Sequence, residues 1–91
     1  MEPNTVARVA QHFGLSVAEL RGPSSVRAVT YPRQLAVYLL VEGGATLQEA
    51  AEAVGRVSHT SARYAYEKIK FERSMKYADV CADLAALEGE A

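Results

Sequence analysis

Cysteine and histidine are scarce in this 91-residue sequence, which contains one cysteine, Cys81, and two histidines. A single cysteine excludes an internal disulfide, and these few, widely spaced side chains are not enough for a zinc site. The longest strongly apolar run, Leu35 to Val41, falls far short of the ~20 residues that a membrane-spanning helix requires. The N-terminus lacks the basic and then apolar pattern of a signal peptide. We therefore expect a protein of the reducing cytoplasm that binds no metal.

Catalytic arrangements are missing as well. The sequence has no Ser-His-Asp arrangement, no carboxylate pair in an evident cleft and no phosphate-binding loop of the GxxxxGK(S/T) type. Cys81 has no base or cation spaced to activate its thiol, so it is expected to be a packing residue. These absences argue against an enzyme, against a cofactor and against a small-molecule substrate.

Charge is unevenly distributed along the chain, although the formal net charge is only -1. From Leu20 to Lys76 there are nine basic and five acidic residues, an excess of four positive charges. The last fifteen residues carry only acidic charges, at Asp79, Asp83, Glu88 and Glu90. A basic centre with acidic flanks fits a protein that offers one face to DNA, and it also fits an ordinary solvated surface.

The hydrophobic pattern predicts helices throughout. With 49% hydrophobic residues, the chain can bury one modest core. Apolar residues recur at helical spacing in six segments, and none alternates convincingly as a strand would. We predict a single domain over residues 1–91, folded as a compact all-α bundle of about six helices. The third helix, with apolar residues from Leu35 to Leu40, is its best core candidate.

Local signals predict where helices begin and end. Gly14 is expected to close the first helix, and capping boxes at Ser16 to Glu19 and Thr46 to Glu49 are expected to open the second and fourth. The last helix is predicted to bury a stripe formed by Tyr77, Val80, Cys81, Leu84 and Leu87. The five tyrosines are expected to be core or rim residues rather than base-stacking platforms.

One segment lacks a helical stripe. It runs from Gly22 to Tyr31 and contains Pro23 and Arg27 without a neighbouring acid. We predict that it is a basic loop. Pro32, which follows, suits the first turn of the third helix, where its missing amide hydrogen has no cost.

The fourth and fifth helices have the proportions of a helix-turn-helix, with a turn that contains Gly55. The start of the second helix, which enters the major groove in such motifs, reads Ser58-His59-Thr60-Ser61-Ala62-Arg63. Hydroxyl and imidazole groups there can approach base edges, while Arg56 and Arg63 can reach the DNA backbone. Tight helix pairs also occur in ordinary bundles, so the pattern alone leaves both interpretations open.

Two segments resemble the C-terminal DNA-recognition domain of the bacterial replication initiator DnaA. Val29 to Leu39 (VTYPRQLAVYL) is similar to the family's Pro-Arg-Gln entry into its central helix. Gly55 to Ala65 (GRVSHTSARYA) is similar to a signature that reads Gly-Gly-Arg-Asp-His-Thr-Thr. The resemblance extends from about Asn4 to Leu87. It implies a Trp-repressor-like helix-turn-helix that binds short DNA boxes at a replication origin or at related promoters.

The resemblance also implies roles for individual side chains. His59 and Thr60 match the base-reading and phosphate-contacting pair, and Ser61 replaces a second threonine. Arg27 matches a loop arginine of the family that reaches into the minor groove. Arg33 and Gln34 match the start of the family's helix that holds phosphate.

The sequence departs from the family signature at several positions. Val57-Ser58 stands where the family has Arg-Asp, and Arg56 replaces its second glycine. Ser58 can cap a helix but cannot accept from a cytosine amino group as a carboxylate does. Tyr31 stands where the family's loop is usually basic. We therefore expect an altered sequence preference and a lower DNA affinity.

These observations favour a DNA-binding module that acts at DnaA-box-like sites and regulates replication initiation or transcription without ATPase activity. The alternative is a domain mimic that engages the initiator or its ATPase regulator through protein contacts and binds DNA poorly. The acidic C-terminal segment and near-neutral charge favour that alternative. A third hypothesis is a fragment of a longer initiator.

Overall fold

The computed structural model describes residues 4–55 and 59–89, which form six α-helices and no strand. The helices are α1 (Asn4–His12), α2 (Val17–Arg21), α3 (Arg27–Glu42), α4 (Leu47–Ala53), α5 (His59–Ser74) and α6 (Ala78–Gly89). They form a globule with principal extents of 30 × 26 × 25 Å. The predicted all-α bundle of about six helices is confirmed.

The ends of the first helices follow the local signals in the sequence. Gly14 has a φ of 71°, the left-handed conformation that commonly closes a helix. The Glu19 amide donates to Ser16 Oγ at 3.0 Å, and the Ser16 amide donates to Glu19 Oε1 at 2.8 Å. Thr46 and Glu49 make the same reciprocal pair at 3.0 and 2.9 Å. Both predicted capping boxes are confirmed.

The predicted basic loop from Gly22 to Tyr31 is wrong in its second half, because α3 begins at Arg27. Pro32 therefore lies inside α3 rather than in its first turn, and the predicted helix start is wrong as well. No side chain caps the N-terminus of α3. This first part of the helix is stabilised instead by the packing of Val29, Tyr31 and Pro32 into the core. Such tertiary packing cannot be recognised from local sequence signals.

Helix α3 forms the centre of the core and contacts α1, α2, α4 and α5. Leu35 and Ala36 are fully buried and Val37 is nearly so, as the sequence predicts. Pro32 of α3 is also fully buried, and the surrounding helices and the C-cap of α4 supply further large, fully buried side chains: Val9, Leu20, Val54, Ile69, Val80, Leu84 and Leu87. The core therefore fixes α3 relative to every element that builds the helix-turn-helix.

Helix α6 buries most of its predicted stripe. Val80, Leu84 and Leu87 are buried, and Cys81 is half-buried. Tyr77 does not belong to the stripe, because it precedes the first residue of α6 and is 47% exposed. Arg8 Nη2 donates to the Leu87 carbonyl and ties α6 to α1. Within residues 4–55 and 59–89, no helix has both the length and the apolar content needed to cross a membrane.

Candidate nucleic-acid interface

Helices α4 and α5 pack against each other and against α3, which produces the predicted helix-turn-helix arrangement. The C-cap of α4 is Val54, and Gly55 follows with a φ of 76°. Residues 56–58 lie outside the described residues, and the predicted sites Arg56 and Ser58 are among them. Their DNA contacts remain predictions.

The last residue of α2, Arg21, packs against the segment at the end of α4 that contains Gly55. A Cβ on Gly55 would lie 2.6 Å from the Arg21 carbonyl oxygen, a distance that real Cβ atoms do not show. The Arg21 side chain donates from Nη1 to the Ala53 carbonyl at 2.9 Å, which satisfies one of the last carbonyls of α4. Gly55 is therefore required both by its left-handed conformation and by the close approach of Arg21.

The first turn of α5 presents polar side chains to solvent. His59, Thr60 and Ser61 are exposed, whereas Ala62 and Ala65 are buried. Small buried residues let the helix lie close to the core while the short polar groups face outward. The three polar residues predicted at the tip of a recognition helix are thus placed where a duplex could reach them.

A cleft of about 340 Å³ opens between α3 and the start of α5. Gln34 lines it from α3, and Thr60 and Ser61 line it from α5. Arg33 also contributes to the lining, so the structure brings four predicted residues together. Tyr64 also lines the cleft and is 65% exposed. Tyr64 lies one helical turn after Thr60, so the two residues are on the same face of α5. This spacing could have identified Tyr64 from the sequence, but we expected all tyrosines to be core or rim residues.

Arg33 has a different environment from the other predicted residues. Its side chain is buried, and its three guanidinium nitrogens donate to three backbone carbonyls. Nε donates to Leu20 at 2.8 Å, Nη2 to Gly22 at 3.0 Å and Nη1 to Ser24 at 3.2 Å. Arg33 thus holds the segment between α2 and α3. A phosphate contact by Arg33 would have to compete with these bonds, and it remains a prediction.

Arg27 begins α3 and is two thirds exposed. Its guanidinium lies 4.8 Å from the centroid of the Tyr31 ring and 3.7 Å from Asp79 Oδ2. Tyr31 in turn donates to Asp83 Oδ2 at 2.8 Å. Burial and the hydrogen bond to Asp83 raise the pKa of Tyr31, so its phenol stays protonated and can donate even at pH values where a free tyrosine would ionise. The predicted minor-groove arginine is thus placed on α3 next to α6.

Two basic side chains on α5, Arg63 and Lys68, have acidic partners one turn further along the helix. Arg63 Nε lies 3.6 Å from Glu67 Oε2, and both side chains are about two thirds exposed (66% and 65%). Lys68 Nζ lies 2.9 Å from Glu72 Oε2. The Arg63–Glu67 pair is exposed, and such pairs contribute about 0–1 kcal/mol and are screened by salt, so a phosphate can replace the Glu67 carboxylate at little cost.

The family described as bacterial dnaA protein helix-turn-helix matches residues 4–69. The chromosomal replication initiator protein DnaA of Thermomicrobium roseum is 41% identical over 63 residues, which cover 68% of this chain and 14% of that protein. The same protein of Thermus thermophilus is 41% identical over 66 residues, 71% of this chain and 15% of that protein. The DnaA protein of Lactobacillus acidophilus is 41% identical over 69 residues, which cover 75% of this chain and 15% of that protein.

The chain spans about a seventh of the length of these curated relatives. The matched region contains α1 to α4 and most of α5, and it ends before α6. It therefore includes the cleft and the exposed start of α5. The chain belongs to the helix-turn-helix family of the bacterial DnaA protein, a DNA-binding rather than a catalytic family.

Proposed function

We propose that this chain binds double-stranded DNA with the start of α5 in the major groove and Arg27 in the adjacent minor groove. The observation that carries the proposal is the exposure of His59, Thr60 and Ser61 on a helix whose Ala62 packs into the core. A rigid helix with short polar groups at its tip can place them against base edges without reordering the backbone.

The chemistry of these groups suits base readout. The hydroxyls of Thr60 and Ser61 can donate to or accept from base edges, and the Thr60 methyl can pack on a thymine methyl. Gln34 faces them across the cleft and can donate to a phosphate, which would set the register of α5 on the duplex. Binding of this kind prefers particular sequences, and we propose DnaA-box-like sites as the preferred ones.

The relatives are named as chromosomal replication initiators, and this chain matches about a seventh of each of them. We propose that it occupies the same kind of duplex site as the initiator and competes for it. Regulation of replication initiation or of transcription would follow from such occupancy, with no ATP hydrolysis by the matched region.

Fluorescence anisotropy with a labelled DnaA-box duplex and a scrambled duplex at low salt tests this function. We expect tighter binding to the box. Thr60→Ala should weaken it about tenfold, the effect of losing one good base contact. Ser74→Ala, an exposed serine at the other end of α5, is the control and should leave affinity unchanged. Equal, weak binding of both duplexes that Thr60→Ala does not alter would contradict base readout.

A second candidate function has its own observation. Phe71, Met75 and Tyr77 surround the turn between α5 and α6 and are 56%, 58% and 47% exposed. This apolar group lies beyond the family match and could contact the initiator or its ATPase regulator. Titration of labelled chain with purified DnaA in the absence of DNA tests it. Binding that Phe71→Ser abolishes and Thr60→Ala preserves would support a protein-contact module. No binding would contradict contact with the initiator, and the same titration with the purified ATPase regulator tests the other partner.

A further inference from the structure

Asp79 occupies the first turn of α6 and is held in one orientation. Its Oδ1 accepts from the Val80 amide at 2.9 Å, which leaves Oδ2 to face Arg27 Nη2 at 3.7 Å. A negative charge at this position is also favoured by the dipole of α6. Asp79 therefore presents its second carboxylate oxygen to Arg27.

The other contact of the Arg27 guanidinium is with the ring of Tyr31, 4.8 Å from its centroid. The Tyr31 hydroxyl donates a hydrogen bond to Asp83 Oδ2 at 2.8 Å, which positions the ring. The second oxygen of Asp83 lies 3.1 Å from His12 Nε2. Arg27 thus lies on an ordered surface formed by an aromatic ring of α3 and a carboxylate of α6.

We propose that α6 restrains DNA binding by holding Arg27 on Asp79, so that Arg27 must leave this carboxylate before it can enter the minor groove. The inference rests on the proposed function, because it requires Arg27 to contact DNA. Arg27 and Asp79 are 67% and 63% exposed, so their pairing is weak and opens readily. The restraint therefore lowers affinity modestly and depends on salt. Because α6 lies beyond residues 4–69, Asp79 is outside the family match.

Asp79→Asn tests the restraint in the same anisotropy assay. Asparagine removes the charge and keeps an oxygen that can accept from the Val80 amide. We expect affinity for the box duplex to rise about two- to fivefold at low salt, the range for an exposed ion pair, and the gain to shrink as salt screens the pair. Glu88→Gln is the matched control, since it removes one negative charge from the same helix beside Arg73 rather than Arg27.

The Arg27→Ala background separates the restraint from general repulsion between α6 and DNA. If Asp79 acts through Arg27, adding Asp79→Asn in that background changes affinity by less than about 1.5-fold. An undiminished gain there, or equal gains from Asp79→Asn and Glu88→Gln, overturns the restraint and leaves DNA binding intact. Absence of binding by every variant at low salt overturns the proposed function itself. Thermal unfolding confirms that each variant is folded at the assay temperature.

Discussion

The two ends of α5 have different surroundings. At the start, Thr60 and Ser61 are exposed and line an open cleft. Near the end, Arg73 Nη1 donates to the Tyr38 hydroxyl at 2.9 Å, and both terminal nitrogens of Arg73 lie 3.1 Å from the Glu88 carboxylate. We call the end of α5 at Arg73 its fastened end and the end at Thr60 and Ser61 its open end. On α5, therefore, the side-chain hydrogen bonds to α3 and α6 lie near the end of the helix, and the polar side chains proposed to meet DNA lie at its start.

Arg33 provides the largest test of that separation, because the resemblance assigns it to phosphate while the structure gives it three backbone carbonyls. Arg33→Met should lower the free energy of unfolding by about 3 kcal/mol, since each buried carbonyl left without a donor costs roughly 1–3 kcal/mol and some regain water. Urea denaturation measures the change. A variant as stable as the wild type but weaker on DNA would place Arg33 with the open end instead.

Gly55 tests whether the turn between the two helices depends on α2. Gly55→Ala adds a left-handed strain to a 2.6 Å approach to the Arg21 carbonyl, so we expect a loss of about 2–3 kcal/mol. Gly14→Ala is the matched control, because Gly14 has a similar φ of 71° with nothing within 4 Å of an added Cβ. Its loss should be about 1 kcal/mol. Equal losses in urea denaturation would mean that contact with α2 adds nothing.

Local signals predicted much of this fold correctly. Capping boxes depend on side chains three residues apart, so Ser16 with Glu19 and Thr46 with Glu49 could be identified without tertiary knowledge. The start of α3 could not, because it lacks a side-chain cap and depends on the burial of Tyr31 and neighbouring residues. Sequence reasoning therefore succeeded where a helix end is determined locally and failed where packing determines it.

The candidate site shows a similar division. Motif positions predicted Thr60, Ser61 and Gln34 as separate candidates, and the structure places all three at one cleft. Arg33, next to Gln34 in sequence, also contributes to the lining of the cleft, but its guanidinium donates to three backbone carbonyls. The pairing of Arg27 with Asp79 joins helices that lie far apart in sequence, so no local sequence pattern could predict it. Motifs could identify candidate groups, whereas their actual partners required the packed structure.

Arg73 tests the fastened end with a smaller effect. Arg73→Met should lower the free energy of unfolding by about 1 kcal/mol, a figure discounted because the side chain is 41% exposed and partly screened. DNA affinity should change less than about twofold, since Arg73 lies at the end of α5 away from the cleft. Lys70→Met removes the same charge without breaking a link between helices and should change stability little. A tenfold loss of affinity in Arg73→Met would break the proposed separation of the two ends.

Arg63 tests the open end with the smallest effect on stability. Its pair with Glu67 lies on the surface of α5, so Arg63→Met should change the free energy of unfolding by less than about 0.5 kcal/mol. If Arg63 exchanges Glu67 for a phosphate on binding, the slope of log affinity against log salt should fall by about 0.9. Titrations at several salt concentrations, with Lys70→Met as the charge-matched control, measure that slope. A slope equal to the wild type would place Arg63 outside the DNA contact and leave the polar first turn as the part of α5 proposed to meet DNA.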